Sequence, residues 1–123
     1  MTEDELQKLL EESTAERDRY ELFVEECQDQ DVRLRFSPGK GDGWSMPALL
    51  ALVDTSLRAA AGVDASVVNL SLTVLREPQQ ADVIALSRVI RCTNDATHAE
   101  AWLFSHAVVE PMLHAIATLS RRG

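Results

Sequence analysis

The stretch that decides the fold is Met46–Ala61, MPALLALVDTSLRAAA, which is apolar on almost every side. Ser45 precedes it as a plausible helix N-cap, and Pro47 fits the first turn, where a missing backbone N–H is no loss. Gly62 follows as a helix stop. Because a helix with so little polar surface has to be enclosed by the rest of its domain, the sequence predicts a buried central helix over residues 46–61.

Strand patterns lie on both sides of this helix. Apolar and polar residues alternate in Asp31–Phe36 before it and in Ser66–Arg76 after it, which is typical of half-buried strands. Turn and loop residues divide the rest of the chain into three more predicted strands, Asp82–Thr93, Thr97–Ser105 and Met112–Arg121. Strands that follow one another closely pair as hairpins, so we expect an antiparallel sheet of about five strands against one helix, an α+β architecture.

The first thirty residues are acidic and are predicted to be helical. Thr2 with Glu5, and Ser13 with Glu16, have the spacing of a capping box, so we expect two short helices. The second helix would carry on its apolar side Tyr20, Phe23, Val24 and Cys27. The interpretation is one domain, with an N-terminal helical extension over 1–30 and a core over 31–123.

Composition excludes several classes of protein. The chain has 123 residues, of which 46% are apolar, so a single domain can bury a hydrophobic core without disulfides or metal ions to stabilise it. A formal charge of −8 argues against a nucleic-acid surface, since phosphate contacts need clustered Lys and Arg. A reduced, cytoplasmic protein is expected for three reasons. The chain has only two cysteines, its acidic start lacks the features of a signal peptide, and its longest apolar run is shorter than a membrane span.

The chain resembles the hotdog thioesterase superfamily in the order of its elements, which are a strand, a glycine-rich loop, a buried helix and then a meander of strands. Residues 52–56, Leu-Val-Asp-Thr-Ser, and Val68–Arg76 are similar to the phenylacetate-type, PaaI-like branch of acyl-CoA thioesterases. Leu113–Thr118 resembles the last strand of that branch. The resemblance implies a hotdog fold, a dimer or dimer of dimers with its site between subunits, and hydrolysis of acyl-CoA or a related thioester without a cofactor.

The resemblance also implies the roles of particular residues. Asp54 would be the general base or the nucleophile. The branch typically has a His-Gly-Gly motif at the start of the helix, and the backbone N–H of its middle residue polarises the thioester carbonyl. In this chain the three positions hold Ser45, Met46 and Pro47, and Met46 keeps that N–H. The candidate substrate-binding residues are Trp44, Ser45, Met46, Pro47, Thr55, Arg58 and Asn69.

Each of these residues also has an alternative interpretation. Asp54 and Arg58 have the spacing of an ordinary i,i+4 ion pair on a helix surface. Ser45 is equally a helix cap, Trp44 equally a residue that closes the loop onto the sheet, and Asn69 equally a solvent or subunit contact. The three histidines fit no metal-ligand spacing, so no metal is expected. The alternative function is a non-catalytic hotdog module that binds an acyl ligand or a protein partner.

Overall fold

Two helices and six strands form the described part of the chain in a computed structural model. The structure describes residues 2–13, 20–28, 31–38, 44, 46–62, 64–76, 82–105 and 111–120. In chain order the elements are α1 (Glu3–Ser13), β1 (Tyr20–Gln28), β2 (Asp31–Pro38), α2 (Met46–Ala61), β3 (Ser66–Val74), β4 (Val83–Cys92), β5 (Ala96–Ser105) and β6 (Pro111–Ser120).

Helix α2 spans the residues that the sequence predicts and is enclosed as its composition requires. Leu52, Val53 and Leu57 are fully buried. Ser56 is buried as well, and its hydroxyl donates to the Leu52 carbonyl at 2.7 Å, so the buried hydroxyl has a hydrogen-bond partner. The helix ends at Ala61 and is followed by Gly62, whose φ of 137° is a conformation that residues with a Cβ rarely adopt. The prediction of a buried helix stopped by this glycine is confirmed.

One antiparallel sheet, in the order β1-β2-β4-β5-β6-β3, wraps around α2. Small side chains on the inner face of β5 and β6 let the sheet approach the helix closely: Ala99, Ala101 and Ala115 have no exposed surface. Ala101 and Ala115 are direct cross-strand partners, so they form one row beneath the helix. A sheet curled around a long buried helix is the hotdog arrangement, which confirms the expected α+β fold and adds a sixth strand.

That sixth strand is a correction to the sequence analysis, because residues 20–28 form β1 and not a second helix. The helical prediction rested on the spacing of Tyr20, Phe23, Val24 and Cys27, but the residues of this segment that pack against the core are Leu22, Val24 and Cys27. The true period is two, and a bulge between Val24 and Glu26 inserts one residue and shifts Cys27 back into phase. Pairing with β2 along the whole strand stabilises this conformation.

Helix α1 is confirmed, and it covers the edge of the sheet that β1 would otherwise leave open. The Thr2 hydroxyl accepts a hydrogen bond from the Glu5 N–H at 3.2 Å, as the capping-box spacing predicts. The side-chain amide of Gln7 makes the kind of backbone hydrogen bonds to β1 that a neighbouring strand would make. Its Nε2 donates to the Leu22 carbonyl and its Oε1 accepts from the Val24 N–H, both at 2.7 Å. Gln7 therefore occupies backbone groups of β1 that another strand would need.

The outer face of the sheet, which faces away from α2, carries a network of charged residues. Arg88 Nε donates to Glu100 Oε1 at 2.8 Å, and His114 Nε2 lies 3.5 Å from the other carboxylate oxygen. Burial by itself raises the pKa of Glu100, but the hydrogen bond and the charge of Arg88, together with the nearby polar groups of His114 and Trp102, hold the pKa below its ordinary value. The network therefore favours the ionised carboxylate.

Replacing Gln7 with Ala tests the hydrogen bonds to β1. The variant loses two hydrogen bonds to backbone groups, so we expect its free energy of unfolding in urea to fall by about 1–3 kcal/mol. Lys8→Ala is the matched control, because Lys8 is exposed on the same helix; its effect should stay within about 0.5 kcal/mol. Equal losses in the two variants would show that the amide does not stabilise the edge.

The lowered pKa of Glu100 predicts a pH dependence of stability. A carboxyl group whose pKa is lower in the folded state stabilises the fold above its unfolded-state pKa, and this contribution disappears as the pH falls through the folded-state value. We therefore expect Glu100→Gln to destabilise the protein at about pH 6 and to do so less at about pH 3. Urea unfolding at both pH values, with the exposed-carboxylate variant Glu3→Gln as control, measures the difference. A loss that does not change with pH would contradict the assignment.

Candidate functional site

One stripe of α2 is not covered by the sheet, and it carries the predicted catalytic residue. Met46, Leu50, Asp54 and Arg58 follow one another at four-residue spacing, so they lie along one side of the helix. Met46 is 44% exposed and Leu50 is 41% exposed, which is unusual for apolar residues of a central helix. We call these four residues the α2 stripe. It places a carboxylate at the end of a short apolar surface.

The i,i+4 ion pair expected between Asp54 and Arg58 is present. Arg58 Nε donates to Asp54 Oδ2 at 3.0 Å. The arginine side chain is mostly buried, with 14% exposed, whereas the aspartate side chain is 48% exposed. The guanidinium therefore holds the carboxylate in one orientation from the protein side. The other side of Asp54 remains open to whatever approaches the helix.

Strand β3 carries a second exposed apolar surface and contacts α2. Leu70 and Val74 pair with the buried Ala117 and Leu113, so they lie on the inner face of the sheet, the same side as the helix. Their exposures are nevertheless 40% and 45%, because β3 is an end strand of the sheet that the described residues form. Val68 on the same strand is 62% exposed. Strand β3 therefore combines exposed apolar side chains with a position at the end of the described sheet, and it contacts the helix that carries the α2 stripe.

The other predicted site residues are spread over different surroundings. Trp44 and Thr55 are buried, with 8% and 1% of their surface exposed, whereas Pro47 is exposed at the start of α2. Asn69 pairs with Thr118, so it lies on the outer face of β3, away from the helix. Ser45 lies outside the described residues. Among the described residues of the predicted set, Met46, Asp54 and Arg58 share one face of α2.

Leu50 belongs to the α2 stripe, although the sequence analysis did not single it out. Its position midway between Met46 and Asp54 was a usable signal, since residues four apart share a helix face. What the sequence did not reveal is that this side of an otherwise buried helix stays open. Exposure depends on where the sheet ends, which is a property of the whole fold.

No group of three metal-ligating side chains occurs in the part of the chain that the structure describes. The His114 ring is stacked on Trp102 with ring centroids 3.7 Å apart, and His98 Nδ1 lies 3.1 Å from the Thr118 hydroxyl. His106 lies outside the described residues.

Membrane insertion by a helix also finds no support in the described segments. Neither α1 nor α2 has the length and apolar character that crossing a bilayer requires.

Comparisons with known proteins agree with the fold. The sequence matches no protein-family model and no curated protein. Among solved structures, it is similar to a candidate thioesterase from a Silicibacter species, with a TM-score of 0.81 and 21% identity over 100% of this chain and 93% of the other. It is also similar to a hypothetical thioesterase from Streptococcus pneumoniae solved with coenzyme A, with a TM-score of 0.79 and 11% identity over 95% and 97% of the chains.

A third similar structure is the Escherichia coli PaaI protein from the phenylacetic acid degradation operon. The TM-score is 0.75, with 12% identity over 95% of each chain. At these identities the likeness establishes the shared fold, which is that of thioesterase-superfamily structures. What the chain does with that fold has to be argued from its own residues.

Proposed function

We propose that this protein is a thioesterase that hydrolyses an acyl-CoA or a related thioester at a site formed where two copies of the chain meet. The observation that carries the proposal is the half-exposed Asp54 on the α2 stripe. A carboxylate held by Arg58 beside exposed Met46 and Leu50 combines a proton acceptor with an apolar surface for an acyl chain. This combination lies in a fold shared with thioesterase structures, one of them solved with coenzyme A.

The second copy is proposed because exposed apolar side chains occur both on α2 and on β3, which contacts α2 and is an end strand of the described sheet. The β3 edge is open and carries exposed Val68, Leu70 and Val74, whereas Gln7 occupies backbone groups at the β1 edge. An open apolar edge pairs readily with another strand, and a two-fold axis beside β3 would pair it with its own copy. The partner would then cover the α2 stripe and complete a pocket that one protomer leaves open.

Hydrolysis at this site requires a water molecule and a polarised carbonyl. Asp54 accepts a proton from water as the water oxygen attacks the thioester carbonyl carbon; in the alternative route its own carboxylate attacks first, and water then releases the acyl group. In the first route, the C–S bond breaks as Asp54 passes the proton from water to the sulfur, which leaves a thiol and a carboxylic acid. In the second route, the C–S bond breaks as an anhydride between the acyl group and Asp54 forms and the sulfur leaves as a thiolate; water then cleaves the anhydride to the carboxylic acid and the Asp54 carboxylate, and the proton released passes to the thiolate. The N–H groups at the start of α2, including that of Met46, face the developing oxyanion, and the helix dipole favours negative charge there.

The remaining predicted residues have supporting roles in this proposal. Arg58 positions Asp54, while Pro47 and Trp44 would line the acyl end of the pocket. Thr55 packs behind the α2 stripe, since it is buried. Asn69 contributes at the rim, where the β3 edges of two copies would meet.

A non-catalytic acyl-binding or protein-binding module is the second candidate, and the start of α2 favours it. Pro47 has no N–H to donate, and the side chain of Met46 is exposed at the position where an oxyanion would need close approach. The two candidates share the same interface and differ only in whether a thioester is cleaved.

Assembly can be tested by placing a charge on the inner face of β3. We expect the wild type to sediment as a dimer or dimer of dimers at micromolar concentration. Leu70→Lys should dissociate it, since burying an unpaired ammonium costs several kcal/mol and weakens association by about a hundredfold or more. Leu9→Lys on α1 is the matched control, because Leu9 is 37% exposed compared with 40% for Leu70. A monomeric wild type, or equal assembly of both variants, would contradict the interface.

The chemistry can be tested with Asp54→Asn, which keeps the size of the side chain and removes the proton acceptor. Loss of a general base lowers turnover by about a hundred- to ten-thousand-fold. The assay follows thiol release from a panel of acyl-CoA substrates by wild type and variant. Asp64→Asn, an exposed aspartate beyond the end of α2, is the matched control and should retain full activity.

Three outcomes separate the alternatives. Wild-type turnover in Asp54→Asn would make Asp54 a surface residue and exclude its catalytic role. Failure of the wild type to cleave any thioester, while it still binds an acyl-CoA, would favour the binding module. Urea unfolding of Arg58→Ala and Asp54→Asn completes the set, because a purely structural ion pair predicts that Arg58→Ala destabilises at least as much as Asp54→Asn.

A further inference from the structure

A cavity of about 350 Å³ lies on the outer face of the sheet, on the opposite side from α2. It extends over four strands, from Glu26 on β1 and Asp31 on β2 to Leu86 on β4 and Trp102 on β5. Its volume is at the lower end of the range of small-molecule sites. The proposed thioesterase chemistry uses none of these residues.

The strand register explains why these side chains meet. Glu26 pairs with Arg33, Arg33 with Leu86, and Leu86 with Trp102, so these four residues form one row across the sheet. Two positions along each strand, a second row runs from Asp31 through Arg88 to Glu100. Successive rows on one face are separated by two residues, so the two rows are direct neighbours. The cavity is therefore built into the sheet pairing and does not depend on a loop.

The base of the cavity is aromatic and apolar. Trp102 lines it, and the ring of His114 stacks on Trp102 at a centroid distance of 3.7 Å and an interplanar angle of 25°. His114 lies on β6 and does not line the cavity, so it supports the indole from the side away from the cavity. Leu86, which is 38% exposed, adds an aliphatic surface beside the indole.

The charges around this base are unevenly paired. Arg33 Nε donates to Glu25 at 3.0 Å, and Arg88 Nε donates to Glu100 at 2.8 Å, so each guanidinium already faces a carboxylate. Two other lining carboxylates, Glu26 and Asp31, have no ion pair or hydrogen bond with any residue that the structure describes. Three carboxylates and two guanidiniums line the cavity, which leaves a net negative charge.

We propose that this cavity binds an organic cation, a primary ammonium group attached to an apolar or aromatic body. Glu26 and Asp31 accept hydrogen bonds from the ammonium group, and Trp102 and Leu86 contact the body of the ligand. An anion such as a phosphate is disfavoured, since it would lie next to two unpaired carboxylates, while the Nε of each arginine already donates to a carboxylate. The proposal does not depend on the thioesterase assignment, because the site is on the other face of the sheet.

The test uses three probes of similar size that differ in charge: 2-phenylethylammonium, 2-phenylethanol and 3-phenylpropanoate. We expect titration calorimetry to show that only the cation binds measurably. The double variant Glu26→Gln/Asp31→Asn should weaken its binding by about tenfold, the sum of two exposed ionic contacts. Trp102→Leu should weaken binding by a further several-fold through loss of the cation–aromatic contact.

The matched control is Glu3→Gln/Asp4→Asn, which removes the same two charges from the exposed first turn of α1. It should bind the cation as the wild type does, which separates local contacts from the net charge of the protein. Because the amide substitutions keep side-chain size, the double variant should fold normally even if Trp102→Leu does not. Absence of cation binding, stronger binding of the anion, or equal weakening in the control would each overturn the proposal.

Discussion

Enclosure of α2 is the constraint on which the rest of this structure depends. The helix is apolar on nearly every side, and burying each of its leucine and valine side chains contributes about 1.5–3 kcal/mol. A single sheet can surround a helix only if it curls and approaches closely. The alanine row of β5 and β6 permits that approach, since larger side chains there would separate the sheet from the helix.

The same constraint leaves apolar residues of α2 and β3 exposed. The described sheet ends at β3, and parts of α2 and of the inner face of β3 stay exposed. Met46, Leu50 and Leu70 are exposed for this reason, although each belongs to an element that is otherwise part of the core. The position of Asp54 follows from the same geometry, because the carboxylate is tolerated on α2 only where the sheet does not reach.

Much of this arrangement was predictable from the sequence because the patterns involved are local. The bounds of α2 followed from Pro47, Gly62 and the apolar run between them. Strands β2 to β6 followed from alternation and turn residues. Strand β1 was mistaken for a helix because Phe23 on the outer face and Cys27, which the bulge shifts by one residue, complete a helical spacing with Val24. The Gln7 contact with β1 joins residues fifteen or more apart and has no local signal.

The candidate site was predictable only in part, for the same reason. The Asp54–Arg58 pair follows from helical spacing and is present. The burial of Thr55 and the position of Asn69 on the outer face depend on how the sheet turns around α2. The outer-face cavity depends on register across four strands, which no single stretch of sequence specifies. Pairings between distant strands are set by the whole fold and become visible only in the structure.

The central claim is that a second copy of the chain covers the β3 edge and the α2 stripe. Residue-resolved amide hydrogen exchange of the assembled protein tests it most directly, because alternate N–H groups of β3 point away from β6. The account predicts that these outward-pointing amides are protected nearly as well as those of β5. Exchange at the rate of exposed amides, while the neighbouring strand β6 remains protected, would contradict it.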